Sequence, residues 1–197
     1  MSIHGIIFDL DGTLVQSNLD FQAIRTSLGL PDDQPVLEAI ELISDPDQRQ
    51  ACEQKLHEFE RHAADHSQLM PGAMELLEEL QRRNLPRAIL TRNSRFCAER
   101  TIQHHSLQVS RVVTRDDGFP PKPAPDGILR ICQDWNLAPH QVLMIGDFVF
   151  DIRAALAAGT TAVLLAPDVI PDWSTEADFV IGHLSECLHV LDKIARD

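Results

Sequence analysis

Gly5-Ile6-Ile7-Phe8-Asp9-Leu10-Asp11-Gly12-Thr13-Leu14 is the stretch whose reading decides the fold. Its apolar run, Gly5–Phe8, is too short for a helix and fits a strand buried on both faces. The run stops at two carboxylates, Asp9 and Asp11. In open α/β sheets, ligands sit beyond the carboxyl ends of the strands, so this pair stands where a ligand is expected. Two carboxylates so close repel, and a divalent cation is the simplest offset. Gly12 lets the backbone turn sharply and approach a ligand.

The rest of the chain repeats the first half of this pattern. Short apolar runs recur at Ala88–Leu90, Arg111–Val113, Val142–Ile145, Ala162–Leu165 and Phe179–Ile181. Helical stripes alternate with them: Ala73/Leu76/Leu77/Leu80, Ile128/Ile131/Cys132/Trp135, Ile152/Ala155/Leu156 ending at Gly159, and Leu184/Cys187/Leu188/Leu191. Every member of these stripes, Trp135 included, is expected in the core. Strand alternating with helix implies an α/β fold, a parallel sheet with helices on both faces.

One segment breaks the rhythm. Between Gln16 and Leu69 there is no good strand, only three helical stretches: Phe21/Ile24/Leu28, Val36/Ala39/Ile40/Ile43 and Cys52/Leu56/Phe59/Ala63. Leu30-Pro31-Asp32-Asp33 and Ser44-Asp45-Pro46-Asp47 separate them. So long a segment is not a loop of a compact fold. The expected division is an α/β core of residues 1–15 and 70–197, with an all-helical insertion over 16–69.

Three further strand ends carry chemistry. Ile145-Gly146-Asp147 closes one strand, and Asp151 follows four residues later near a helix start, so one turn can bring both carboxylates to one side. Asp9, Asp11, Asp147 and Asp151 together make a hard oxygen site suited to Mg²⁺. Another strand ends at Leu90-Thr91, before Arg92-Asn93-Ser94 and a helix, where a hydroxyl and free N–H groups suit an anion. Lys122 lies in Pro120-Pro121-Lys122-Pro123, where flanking prolines limit backbone freedom and suit a fixed charge facing an anion. A cation site, an anion cradle and a carboxylate nucleophile are the parts that phosphoryl transfer needs.

Composition narrows the partners. The chain has 197 residues, 44% of them hydrophobic and 24% charged, which excludes a disordered, collagen-like or coiled-coil chain. A chain of this length buries about 70% of its unfolded surface without staples. Its net charge of −13 repels nucleic-acid backbones and anionic lipid, so neither is an expected partner. Cys52, Cys97, Cys132 and Cys187 show no metal-ligand spacing and read as buried thiols in a reduced compartment. No leader precedes an apolar run and none is long enough to span a bilayer, so a cytoplasmic protein is expected. His62 and His66 share a helix face, but they lie on a polar stretch that lacks a zinc-protease pattern, and no metal site is assigned to them. A homodimer is compatible with the sequence and not legible in it.

The stretch Phe8-Asp9-Leu10-Asp11-Gly12-Thr13-Leu14 resembles the first motif of the haloacid dehalogenase-like superfamily. Thr91, Lys122 and Gly146-Asp147-x-x-x-Asp151 match its second, third and fourth motifs. The resemblance spans the core, and the insertion is similar to that superfamily's helical cap; the phosphoglycolate phosphatase-like subgroup is the nearest in pattern. It implies a Rossmann-like sheet and a Mg²⁺-dependent phosphomonoester hydrolase acting on a small phosphorylated metabolite. Asp9 would attack phosphorus and become an aspartyl-phosphate. Asp11 would protonate the leaving oxygen, then activate water. Thr91 and Lys122 would hold the phosphoryl oxygens. Asp9, the Asp11 carbonyl and Asp147 would bind Mg²⁺, with Asp151 a direct or outer ligand. An acid at position 11 sets the chain apart from the dehalogenase branch. Asp11 then needs a raised pKa, expected from partial burial and the Asp9 charge.

Three features depart from the subgroup: Gln16 where an acid is common, Phe148 where a small hydroxyl residue is common, and a short cap. Gly12, Arg92 and Asn93 beside the motifs, and Asn18 and Arg25 from the cap, are the expected substrate contacts. Two other functions use similar parts. A phosphosugar mutase returns the phosphoryl group to substrate, which needs a cap that excludes water. A receiver-type phospho-aspartate signalling domain binds and does not turn over, but it has no helical insertion after its first strand.

Overall fold

The structure is a computed structural model that describes residues 2–196. Its centre is a six-stranded parallel sheet. The strands are β1 (Gly5–Phe8), β4 (Arg87–Leu90), β5 (Arg111–Val113), β6 (Val142–Gly146), β7 (Thr161–Leu165) and β8 (Phe179–Ile181). Their order in space is β5-β4-β1-β6-β7-β8. β1 lies between β4 and β6, the point at which the sheet reverses its direction of winding and where a crevice opens at the strand ends.

Alternation along each strand assigns the helices to two layers. Ile6, Phe8, Ile89, Leu143 and Ile145 face one side and pack against α4 (Ala73–Arg82) and α8 (Cys187–Ile194). Ile7, Ala88, Leu90, Val142 and Met144 face the other side and pack against α6 (Asp126–Trp135) and α7 (Val149–Ala158). The remaining core helix is α5 (Arg95–His105). All four cysteines are buried free thiols. No described helix is long and apolar enough to cross a membrane.

Most members of the core stripes are buried, while Trp135 and Leu188 are only partly so and Leu156 stays exposed. Leu156 on α7 is 43% exposed, and Ala154 takes the buried position beside Ile152, Ala155 and Ala158. α7 therefore meets the sheet through alanines, which leaves no room for a leucine at that contact. Gly159 ends the helix in the left-handed conformation, as its position suggests.

Residues between β1 and α4 form a separate helical body. α1 (Phe21–Leu28) starts at Asp20, whose carboxylate accepts the Ala23 N–H at 2.9 Å. α2 (Val36–Glu41) follows, and α3 (Pro46–His66) starts at Asp45 with Pro46 in its first turn. Ile24, Leu28, Val36, Ile40, Cys52 and Leu56 give the three helices a small core of their own.

The expectation of no strand between Gln16 and Leu69 is corrected. β2 (Val15–Gln16) pairs antiparallel with β3 (Gln68–Leu69), Val15 opposite Leu69 and Gln16 opposite Gln68. Two residues per strand are too few to show an alternating pattern, so the ribbon leaves no trace in the sequence. It ties the chain's exit from the sheet to its return. The unusual Gln16 is one of its exposed members.

Three ion pairs cross from the cap helices to the core. Arg115 grips both carboxylate oxygens of Glu60, with Nη2 donating to Oε2 at 2.9 Å. Arg92 grips Glu38, and Arg100 meets Asp65. Glu60 is buried, so its pair with Arg115 is shielded from water.

Candidate active site

The ends of β1, β4 and β6 converge beneath the cap. Asp9 continues β1, its N–H donating to the Ile145 carbonyl at 2.9 Å. The chain then reverses at Gly12, where φ is +87°. A side chain at Gly12 would collide with the Asp147 carboxylate, so the residue serves close approach rather than substrate contact, and it does not line the cavity. Gly146 plays a similar part: a side chain there would collide with Asp151.

Lys122 is the hub. It is 3% exposed, and Nζ donates to Asp9 Oδ1 and to Asp151 Oδ1, each at 2.6 Å. Asp151, in the first turn of α7, also accepts the Phe148 N–H at 3.0 Å. Asp147 accepts from the Thr13 hydroxyl at 3.2 Å. Carboxylate oxygens of Asp9, Asp147 and Asp151 lie within 4.8 Å of one another. Such a buried set of hard oxygens fits Mg²⁺ in chemistry.

The charges are strongly perturbed. Burial raises the Asp9 pKa well above the carboxylate range; Lys122 opposes it, and Asp151, Asp147 and Asp11 add to it. Asp147 is pushed up to about 7, by burial first and by Asp151 second. Burial alone would lower Lys122, but Asp151 and Asp9 outweigh it and hold the ammonium charged. One lysine among Asp9, Asp147 and Asp151 leaves negative charge in excess, which fits a cation site.

Asp11 is raised by burial of its carboxyl, against hydrogen bonds from Ser17 and Asn93 and the charge of Lys122. The shift has the expected direction, and burial rather than the Asp9 charge supplies it. Asn93 Nδ2 donates to Asp11 Oδ2 at 3.2 Å, while its Oδ1 accepts the Ser94 N–H at 2.9 Å. Asn93 lines the cavity, but its amide holds Asp11 in place. Thr91, buried at the end of β4, accepts the Asn93 N–H on Oγ1 at 3.0 Å, which leaves its hydroxyl proton free to point at an anion.

Other expected contacts fare differently. Arg92 lines the cavity with its guanidinium engaged: Nη2 donates to both oxygens of Glu38 at 2.7 and 2.6 Å, Nη1 donates to the Lys122 carbonyl, and the group lies 4.8 Å over the Phe150 ring. A free substrate contact at Arg92 is therefore replaced by a strut between cap and core. Asn18 is exposed in a left-handed turn and stays outside the cavity. Arg25 does reach the cavity wall. Phe148 is 52% exposed there, in edge contact with Phe150 at 5.0 Å, and so is not core packing.

Residues without an expected role also enter. Thr13 lies inside the opening motif and holds Asp147. Ser17 bonds Asp11 just past it, and Glu38 reaches Arg92 from the cap. Proximity to the motif signals the first two; nothing local signals Glu38. A second group, His57, Glu60 and Cys97, is close enough to share a ligand, but Arg115 takes both Glu60 oxygens. His66 donates Nδ1 to the His62 carbonyl at 2.8 Å, their rings 4.2 Å apart.

Comparison with known proteins agrees with this geometry. A family model described as haloacid dehalogenase-like hydrolase matches residues 6–165. An N-acetylmuramic acid 6-phosphate phosphatase of Pseudomonas putida is 31% identical, over 98% of this chain and 97% of its own. A phosphoglycolate phosphatase of Chromobacterium violaceum is 27% identical, over 93% and 94%. Among solved structures, a hydrolase from Pseudomonas syringae shares the fold, with a TM-score of 0.82, 24% identity, and coverage of 97% of this chain and 99% of that one.

Proposed function

The chain belongs to the haloacid dehalogenase-like hydrolase family and is similar to its phosphoglycolate phosphatase-like members; from that premise we propose that it hydrolyses a phosphomonoester of a small metabolite through a phosphorylated Asp9. One observation carries this reading. A buried lysine bridges the strand-end aspartate to a second carboxylate, and a separate aspartate with a raised pKa stands two residues along the chain.

Each residue then has a task. Asp9 attacks phosphorus, which transfers the phosphoryl group to its carboxylate and expels the leaving oxygen. Lys122 and the Thr91 hydroxyl hold the phosphoryl oxygens and oppose the charge that would repel an anionic nucleophile. Asp11, whose burial favours its protonated form, gives its proton to the leaving oxygen. The same carboxylate then takes a proton from the water that attacks the phosphorylated Asp9. Asn93 and Ser17 keep Asp11 aimed, and Asp151 keeps Lys122 aimed. Asp9, the Asp11 carbonyl and Asp147 would hold Mg²⁺, which supplies Lewis-acid polarisation of the phosphoryl group.

The test is phosphate release from a panel of phosphorylated metabolites, with Mg²⁺ and with chelator, for the wild type and Asp9→Asn. Mg²⁺-dependent release that falls by about 10³-fold or more in the variant supports the reading. Release that is the same in both proteins ends it. Isomer formation without phosphate release would mark the mutase instead.

A further inference from the structure

The cavity above Asp9 has a volume of about 570 Å³. That size suits a drug-sized ligand. A phosphoryl group on a two-carbon acid would fill a small part of it. The floor is polar, built from the residues of the reaction. The cap wall has an apolar stretch, Leu19, Phe21, Ile24, Val36, Leu37 and Leu56, beside the charged Arg25, Asp32 and Asp33. Phe21 and Phe148 are each 52% exposed, and Phe150 stands edge-on to Phe148. Open aromatic surface in a cavity favours a carbon-rich, ring-sized ligand.

Three cationic side chains line this space: Lys122, Arg92 and Arg25. Lys122 holds Asp9 and Asp151, and Arg92 holds Glu38. Arg25, on cap helix α1, makes no ion pair among the described residues. It donates through Nη2 to Gln22 Oε1 at 3.3 Å, and its Nε is buried without a hydrogen-bond partner. A guanidinium with an unmet donor on a cavity wall fits a carboxylate, whose two oxygens match its planar fork. The wall also carries Asp32 and Asp33, which oppose a second dianion more than a single carboxylate. Those acids offer acceptors to hydroxyl groups, and Asp32 already accepts the Gln22 amide at 3.0 Å.

Resting on the hydrolase reading above, we propose that the substrate is a phosphomonoester of a ring-sized alcohol bearing a carboxylate, with Arg25 binding the carboxylate and Phe21, Phe148 and Phe150 facing the ring. Arg25 is thus a specificity-determining residue remote from phosphorus.

The test uses N-acetylmuramic acid 6-phosphate and its carboxamide, alike in size and different in charge, as probes. Phosphoglycolate keeps the carboxylate without the ring, and p-nitrophenyl phosphate reports hydrolysis as such. With Mg²⁺ present, the carboxylate probe is expected to exceed its carboxamide in kcat/KM by about 10- to 100-fold, the worth of one charged hydrogen bond. Phosphoglycolate should fall below it by about 10-fold or more, because remote binding is lost. In Arg25→Gln the preference for carboxylate over carboxamide should collapse to within about 3-fold, chiefly through KM. Arg25→Lys should recover part of it, and Arg61→Gln on the exposed side of α3 should leave it intact. Calorimetric binding of the two ring probes to Asp9→Asn should show the same preference without turnover. Release from p-nitrophenyl phosphate with no preference within the pair, or a preference that survives Arg25→Gln, overturns the assignment of Arg25 and leaves the hydrolase standing. No release from any probe overturns both.

Discussion

The core and the cap treat their polar groups in opposite ways. Beneath the sheet's edge, Asp9, Asp11, Thr91, Asn93, Lys122, Asp147 and Asp151 are held by one another or by adjacent backbone. Above them the cap presents mostly apolar side chains and an arginine with an unmet donor. A reaction at phosphorus needs its groups pre-aimed before substrate arrives. Selecting a leaving group needs surface that is still open. One cavity meets both needs because it has two walls of different chemistry.

The largest expected break in this contrast is Lys122→Ala. It removes the hub and leaves Asp9 and Asp151 buried without a counter-charge. Phosphate release should fall by about 10³-fold, more than any single cap substitution achieves, as steady-state kinetics would show. A cap change with a comparable loss in kcat would erase the distinction between the two walls.

Next comes the joint between the two regions. Arg115→Ala strands Glu60 in a buried place and should cost about 3–5 kcal/mol in denaturant unfolding. Replacing both partners with methionine should restore much of that stability, because the penalty lies in the orphaned charge rather than in loss of the pair. If the double variant is as unstable as the single one, the pair is a true clamp.

A smaller effect is pH-dependent and confined to the core. Asp9 and Asp147 have raised pKa values, so the folded protein keeps protons that the unfolded chain has lost. Stability from these groups is complete below the ordinary carboxylate pKa of about 4 and is lost as pH rises towards the folded values. For Asp147 the loss extends up to about 7. Metal-free protein should therefore melt lower at pH 8 than this balance allows at pH 5, and added Mg²⁺ should raise Tm more at pH 8. At a hundredfold excess over Kd the gain is about 2.7 kcal/mol, or several degrees in differential scanning fluorimetry. An equal Mg²⁺ effect at both pH values would remove the cation from this carboxylate set.

The smallest effect tests the packing that supports the site. Leu156→Ala should change stability by less than about 0.5 kcal/mol, because the side chain faces water. Ala154→Leu on the same helix should cost about 1–3 kcal/mol by overpacking. Chemical denaturation of the pair separates the two faces of α7.

The same division governs what could be read in advance. The six sheet strands were legible because each is a short apolar run between helical stripes. Asp9, Asp11, Thr91, Asp147 and Asp151 are legible at or just past strand ends and Lys122 between its prolines, and the structure brings them together, Lys122 reaching in from the turn nine residues beyond β5. Long-range partners were not. Glu38 on the cap meets Arg92 on the core from 54 positions away, and no local pattern encodes that pairing. Arg92 and Asn93 read as substrate contacts because they follow Thr91, the expected phosphate holder, whereas in the fold Arg92 bonds Glu38 and Asn93 bonds Asp11. Asn18 reads as a cavity residue from its place in the insertion, but it is exposed in a left-handed turn outside the cavity. Leu156 fits a helical repeat on paper and loses its buried place to an alanine at the sheet.

The ribbon of Val15–Gln16 with Gln68–Leu69 has a consequence for how this molecule can change over generations. Residues paired across an antiparallel ribbon lie about 5 Å apart, so the insertion departs and returns at nearly one point. To the sheet, everything between is a hairpin loop. Its length and sequence can drift, or be exchanged whole, while the two ends stay stapled and the strand that carries Asp9 feels no displacement. Ancestry can rewrite the lock without touching the bolt.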